Sequence, residues 1–163
     1  MIYFWDTEAT GLLYEPDLKI HCLSVQCKDF GHTYVHDVPM FFELLQDGDT
    51  IVAHNQFGYD LELMRQQGII DDYSVLPDSI TVQGVKKEVQ LLDTLAMSRA
   101  WFPDLPGGHG LAAYAERLNG VKPVVEDWKD QPIEVYVERC EADTVLTEQV
   151  FNYLCERLDI KYE

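Results

Sequence analysis

The amino-terminal stretch constrains this chain more than any other. Ile2-Tyr3-Phe4-Trp5 is an apolar run of β-favouring residues that reads as a short buried strand, and it passes directly into Asp6 and Glu8. Side chains alternate along a strand, so acids two positions apart share one face. Two carboxylates side by side at the end of a core strand repel, and burying them is costly unless a proton or a cation neutralises them. Oxygen ligands of this kind suit a hard cation such as Mg²⁺ or Mn²⁺. A lone Asp-x-Glu also arises wherever a strand runs into a polar loop, so the triplet takes its meaning from the rest of the chain.

That rest alternates strand and helix. His21–Gln26 and His32–His36 alternate in polarity around a turn at Asp29–Gly31, predicting an antiparallel meander with the first strand. Pro39 opens a short helix, Met40–Leu45, ended by Gly48. Thr50–Ala53 is a compact apolar strand followed by His54-Asn55-Gln56-Phe57-Gly58-Tyr59-Asp60, with helical spacing from Tyr59 to a stop at Gly68. Strand, loop and helix in that order place Asn55 and Asp60 near a strand's carboxyl end, where α/β sheets carry their sites. Ile69–Lys87 reads as irregular. Val89–Leu92 is a fifth strand, followed by helices over Leu95–Trp101 and His109–Leu118, with a Pro- and Gly-rich loop between them. After a loop over Val121–Asp130, a long amphipathic helix spans Ile133–Leu158. Its expected buried stripe is Val135, Cys140, Val145, Leu146, Val150, Leu154 and Leu158, with Asp143 flanked by it. An acid in that position requires a partner.

At 163 residues, with no internal repeat and no linker, the expectation is one domain over 1–163. No apolar run approaches the ~18 residues of a membrane span, and no basic segment precedes the first apolar run as in a signal peptide. A cytoplasmic protein without membrane contact is therefore expected. Cys22, Cys27, Cys140 and Cys155 form no C-x-x-C pair and read as free, buried thiols. The excess of 29 acidic over 12 basic residues, a formal charge of -17, argues against gripping long nucleic acid through its phosphates. Any nucleic acid would be held locally, through cations and a few contacts.

Three separate places thus offer carboxylates positioned by secondary structure: Asp6 with Glu8, Asp60, and Asp143. WDTEATGL, HNQFGYD and ERCEADTVLT, in that order, resemble the three motifs of the DEDD superfamily of 3′ to 5′ exonucleases, the DnaQ-like branch of the ribonuclease H fold. QLLDTLAMSR and the loop into HGLAAYAERL resemble the proofreading domain of phage-type family A DNA polymerases, here free-standing. The resemblance implies an α/β fold, a ribonuclease H-like mixed five-stranded sheet with an antiparallel meander plus parallel strands, flanked by helices. It implies that Asp6, Glu8, Asp60 and Asp143 are catalytic and hold two divalent cations, Mg²⁺ or Mn²⁺, roughly 4 Å apart. Thr7, Leu12, Asn55 and Tyr59 would then bind the terminal nucleotide of a 3′ end, most simply of single-stranded DNA. Phe57 and Tyr59 also read as core aromatics, and Asp93, followed by Thr94 and a helix, as a structural cap.

One departure stands out. The family carries Tyr four residues or His five residues before its third-motif Asp, to orient the attacking water; here Arg139 and Glu138 occupy those positions. Tyr136 is on the same helix face but about 10 Å further along the axis. Arg139, one turn from Asp143, can pair with it, lie at the surface or meet a phosphate, whereas Glu138 could act as a base only with a raised pKa. The expected activity is phosphodiester hydrolysis to nucleoside 5′-monophosphates in a replication or repair setting, beside a separate DNA polymerase or replication protein. An RNA-directed exonuclease of the same fold, or a catalytically weakened acidic interaction subunit, are the alternatives.

Overall fold

A computed structural model describes residues 1–162; Glu163, the last residue of the expected 1–163 span, lies outside the described residues. The opening run forms β1 (Ile2–Ala9), which pairs antiparallel with β2 (Ile20–Cys27), and β2 pairs antiparallel with β3 (Phe30–Tyr34). After α1 (Pro39–Leu44) the chain crosses to the other side of β1, where β4 (Thr50–Ala53) runs parallel to it. Here a π-helical turn, Gln56–Asp60, leads without a break into α2 (Leu61–Gln66).

Residues 69–87, expected to be irregular, instead hold a second, three-stranded antiparallel sheet of β5 (Asp72–Ser74), β6 (Ser79–Val82) and β7 (Val85–Lys87). Its strands are only three or four residues long, too short to show a periodicity. Between β6 and β7, Gln83 and Gly84 both take positive φ (49° and 77°), as a two-residue hairpin turn requires. β8 (Gln90–Asp93) then adds parallel to β4, completing a sheet in the order β3-β2-β1-β4-β8. This is the expected ribonuclease H-like mixed sheet, its meander on one side and its parallel strands on the other.

The last three helices are α3 (Thr94–Trp101), α4 (Leu111–Leu118) and α5 (Ile133–Leu158). α5 buries Tyr136, Cys140, Asp143, Thr147, Val150 and Leu154, spaced four and three apart, so one face lies against the sheet. Val145, expected in that stripe, is 45% exposed, and Val135 and Leu158 are half-buried. The buried face is rotated toward polar residues because the sheet beneath it presents Asp6 and Glu8 as well as apolar groups. On the opposite side of the sheet, Trp5, Leu23, Ile51, Phe41, Phe42 and Met64 belong to the largest apolar core. Each such side chain stabilises the fold by about 2 kcal/mol on leaving water. All four cysteines are free, three of them buried.

Candidate metal centre

β1 positions the first two acids. Asp6 and Glu8 point to the α5 side of the sheet, and both are buried, at 9% and 7% exposure. α5 delivers Asp143, 5% exposed, to the same place, and one carboxylate oxygen from each of the three lies within 4.8 Å of the others. The helix is pinned there by Cys140, one turn earlier, whose thiol donates to the Asp6 carbonyl at 3.2 Å. The three carboxylates form a buried acidic cluster that can hold a metal ion.

The fourth acid reaches the site differently. Asp60, 3% exposed, ends the π-helical turn and accepts a hydrogen bond from the Thr7 hydroxyl, beside the cluster and outside its closest grouping. Two buried groups hold that turn in place. Gln56, fully buried, accepts from Trp5 Nε1 at 3.0 Å and donates to the carbonyls of Ile51 and Leu92, so it ties the turn to β1, β4 and β8 together. Asp93 accepts from the backbone amides of Asn55 and Phe57 at 2.8 and 3.0 Å and caps α3 through Leu95 N. It is the cap its sequence context predicted, and it also fixes Asn55 in a left-handed conformation.

The electrostatics follow from crowding acids in a dry place. Burial, then Glu8, Asp60 and Asp143 in turn, drive the Asp6 carboxyl far above its ordinary range. Burial and Asp143 push Glu8 up to about 8, with Arg139 and Lys122 opposing. Burial likewise pushes Asp60 up to about 7, against the Thr7 hydrogen bond. Asp6 Oδ2 is buried with no hydrogen-bond partner among the described residues. An orphaned carboxylate oxygen aimed into a cluster of oxygens fits a hard cation and is costly without one.

Two cations of the chain already meet Asp143. Arg139 Nε donates to one oxygen at 3.1 Å, the one-turn pairing anticipated from spacing. Lys122 Nζ lies 2.9 and 3.0 Å from the two oxygens, a contact that no sequence pattern announced. It comes from the extended segment between α4 and α5, which Arg139 also anchors by donating to the Pro123 carbonyl. A single lysine in a loop leaves no periodic trace; the one hint was that basic residues are rare and one stands between Val121 and Pro123.

The same segment roofs a pocket of about 320 Å³ beside Glu8, lined by Thr7, Gly11, Leu12, Tyr59 and Trp128. Leu12 is 71% exposed at its mouth, and Tyr59 is fixed by donating to the Gly11 carbonyl at 2.7 Å. Trp128, the second residue missed from sequence, packs near Tyr136 and under the Arg139 guanidinium. Asn55 is half-buried at the turn, and Phe57 packs against the main core. Glu138 is exposed on α5, about 140° around the helix from Asp143. Tyr136 stacks on His21 and hydrogen-bonds Asp127 and Gln131, so its hydroxyl is committed to the loop. His109 is likewise committed, to Ser98 and to the Pro103 carbonyl.

No helix of the described residues is long and apolar enough to cross a membrane. No family model and no curated protein sequence matches the chain. Among solved structures it is similar to the family B DNA polymerase from the hyperthermophilic archaeon Pyrobaculum calidifontis, with a TM-score of 0.65 and 16% identity. The match covers 95% of this chain and 24% of the polymerase, so the chain spans about a quarter of that protein's length. At this identity the likeness shows a shared fold, an α/β architecture found within a DNA polymerase.

Proposed function

We propose that this chain is a divalent-metal-dependent 3′ to 5′ exonuclease that removes nucleoside 5′-monophosphates from nucleic acid, with single-stranded DNA ends as its substrate. The observation that carries the proposal is the convergence of Asp6, Glu8 and Asp143, from the two ends of the chain, around the unpartnered Asp6 Oδ2. In this reading Asp6, Glu8 and Asp143 hold one Mg²⁺ or Mn²⁺, and Asp60 serves a second. Bound divalent ions supply a water of lowered pKa and Lewis acidity for the departing 3′ oxygen.

The chain's own groups do the remainder. Leu12, Tyr59 and Trp128 enclose the terminal nucleotide in the pocket beside Glu8, and the volume is that of a small-ligand site. The backbone at Thr7 and the side chain of Asn55 bind its sugar and phosphate. Lys122, one-fifth exposed at the edge of the cluster, offsets phosphate charge that the overall excess of acid would otherwise repel. Arg139 orients Asp143 and holds the Lys122 segment over the site. It takes the place of the family's water-orienting residue in sequence but performs a different task.

A second reading, an interaction subunit with weakened catalysis, draws on one observation: Asp143 is already neutralised by two side-chain cations. The test separates the two. End-labelled single-stranded DNA and RNA are incubated with the protein and Mn²⁺, Mg²⁺ or chelator. A ladder shortening from the 3′ end that vanishes in chelator and in Asp6→Asn supports the nuclease, and preference for one polymer identifies the sugar it accepts. Metal-loaded protein that cleaves neither polymer sinks the proposal.

A further inference from the structure

β3 is an open edge. It and β8 are the outer strands of the main sheet, and of the two only β8 has an outward backbone amide taken up by another part of the chain among the described residues. The outward amide of Leu91 in β8 donates to the Asp78 carboxylate at 2.8 Å. Beyond its pairing with β2, β3 makes only side-chain hydrogen bonds among the described residues, from Thr33 to Ser24 and Glu141. Its sequence, Phe30-Gly31-His32-Thr33-Tyr34, carries no lysine and no proline, and its register with β2 has no bulge. Those are the devices by which exposed edges discourage pairing.

Both faces beside that edge are hollow. On the α5 side, a groove of about 580 Å³ is floored by Gln26, Gly31, Thr33 and Val35 and walled by Val137, Glu141 and Val145, so it is apolar along the helix wall and polar at its floor. On the α1 side, a cavity of about 210 Å³ is lined by Met1, Cys27, Phe30, Phe41 and Leu44. Val145, Phe30 and Leu44 are 45%, 48% and 61% exposed. A strand laid beside β3 sends successive side chains to opposite faces, so small apolar residues would fill the groove and the cavity in turn. Among the described residues the flanking charges are mainly acidic: Asp29 and Asp37 near the ends of β3, Glu141 in the groove and Glu148 beside Gln26, against Lys28 and the Met1 ammonium, which is already paired with Asp49.

The geometry points to β3 as the docking edge for an extended segment of a partner protein, with small apolar side chains at its centre and lysine or arginine at its flanks. A second copy of this chain is disfavoured as the occupant, because strand pairing would bring two acidic rims, on chains of charge -17 each, into register. The inference is independent of the nuclease reading, since β3 contributes nothing to the acidic cluster.

The probe is a blocked nonapeptide with a Val-Ala-Val-Ala-Val centre and two lysines at each end, compared with the same peptide flanked by glutamates and with one carrying a central proline. Amide shifts and hydrogen exchange of the isotope-labelled full chain report where each binds. The expected result is binding of the lysine peptide with shifts and new amide protection over residues 30–35, and at least tenfold weaker binding of the glutamate and proline peptides. Val145→Lys, at an exposed helical position, should weaken the lysine peptide at least tenfold. Equal binding of the glutamate peptide, or shifts confined to other strands, overturns the inference. So does a concentration-dependent dimer in sedimentation that protects residues 30–35 without peptide. If Val145→Lys does not fold, the three-peptide comparison on the natural chain decides.

Discussion

The Lys122 ammonium straddles both oxygens of the Asp143 carboxylate, at 2.9 and 3.0 Å, bringing the segment between α4 and α5 onto the acidic cluster. Asp143 is therefore held from two sides, by a loop lysine and by Arg139 of its own helix. Lys122→Met removes one partner and leaves a buried acid less compensated. We expect it to lower stability by about 2 kcal/mol, as for loss of a charged hydrogen bond, and to lower nuclease activity at every metal concentration. Unchanged activity with the same loss of stability would reduce Lys122 to a structural clamp.

Arg139→Tyr introduces the residue type that the exonuclease family resembled by the three sequence motifs carries one turn before its helical acid. Here it also removes the Asp143 contact and the anchor on the Pro123 carbonyl. The expected outcome is a less stable protein, with faster hydrogen exchange over residues 119–132 and no gain in rate. A gain in rate would mean that a water-orienting hydroxyl is what the site lacks.

Acidity should stabilise the metal-free protein. Glu8, ordinarily near 4.5, is pushed up to about 8, and Asp60, ordinarily near 3.8, to about 7; burial is the chief cause of both, and Asp6 is driven up with them. Between those values the folded chain keeps protons that the unfolded chain has released, so unfolding free energy falls as pH rises. The contribution is full below about pH 4 and is lost by about pH 8. In chelator, the melting temperature at pH 5.5 should exceed that at pH 8. Mn²⁺ should raise it more at pH 8 than at pH 5.5, because ligands must shed their protons to bind; saturation at 100 times Kd contributes about 2.7 kcal/mol. The opposite order in either measurement would contradict a shared, proton-holding cluster.

Asp6→Asn separates function from stability. The variant loses a charge that burial and three neighbouring acids disfavour. Without metal it should melt at or above the temperature of the natural protein at pH 8, while Mn²⁺ no longer stabilises it. Activity should fall by roughly 10³, equivalent to about 4 kcal/mol of transition-state stabilisation. Calorimetry with and without Mn²⁺, beside the cleavage assay, reads both.

Trp128→Ala opens the pocket roof while its backbone carbonyl, which meets His21 Nε2 at 2.6 Å, is retained. If the ring stacks on the terminal base, KM should rise by an amount equivalent to about 1–3 kcal/mol with a smaller change in kcat. A fall in kcat alone would place the ring in loop positioning instead.

Much of this molecule is written locally. The apolar run ending in Asp6 and Glu8 determines β1 and the shared face of the two acids, because strand alternation leaves no choice. The apolar strand before His54 and the helical spacing after Tyr59 likewise determine where Asp60 must stand, and a one-turn separation determines the Arg139 to Asp143 pair. The five strands of the main sheet were legible because each is bounded by turn residues. Sequence did not reveal the sheet over residues 72–87, whose strands are too short for a pattern, nor the outward turn of Val145 on α5. Lys122, Trp128 and Gln56 were invisible for another reason. Each acts across 21 or more residues, on Asp143, on the pocket beside Glu8, and on Trp5. Periodicity reports which side of an element is buried; only the packing of elements decides which charges and rings from distant segments end up in contact.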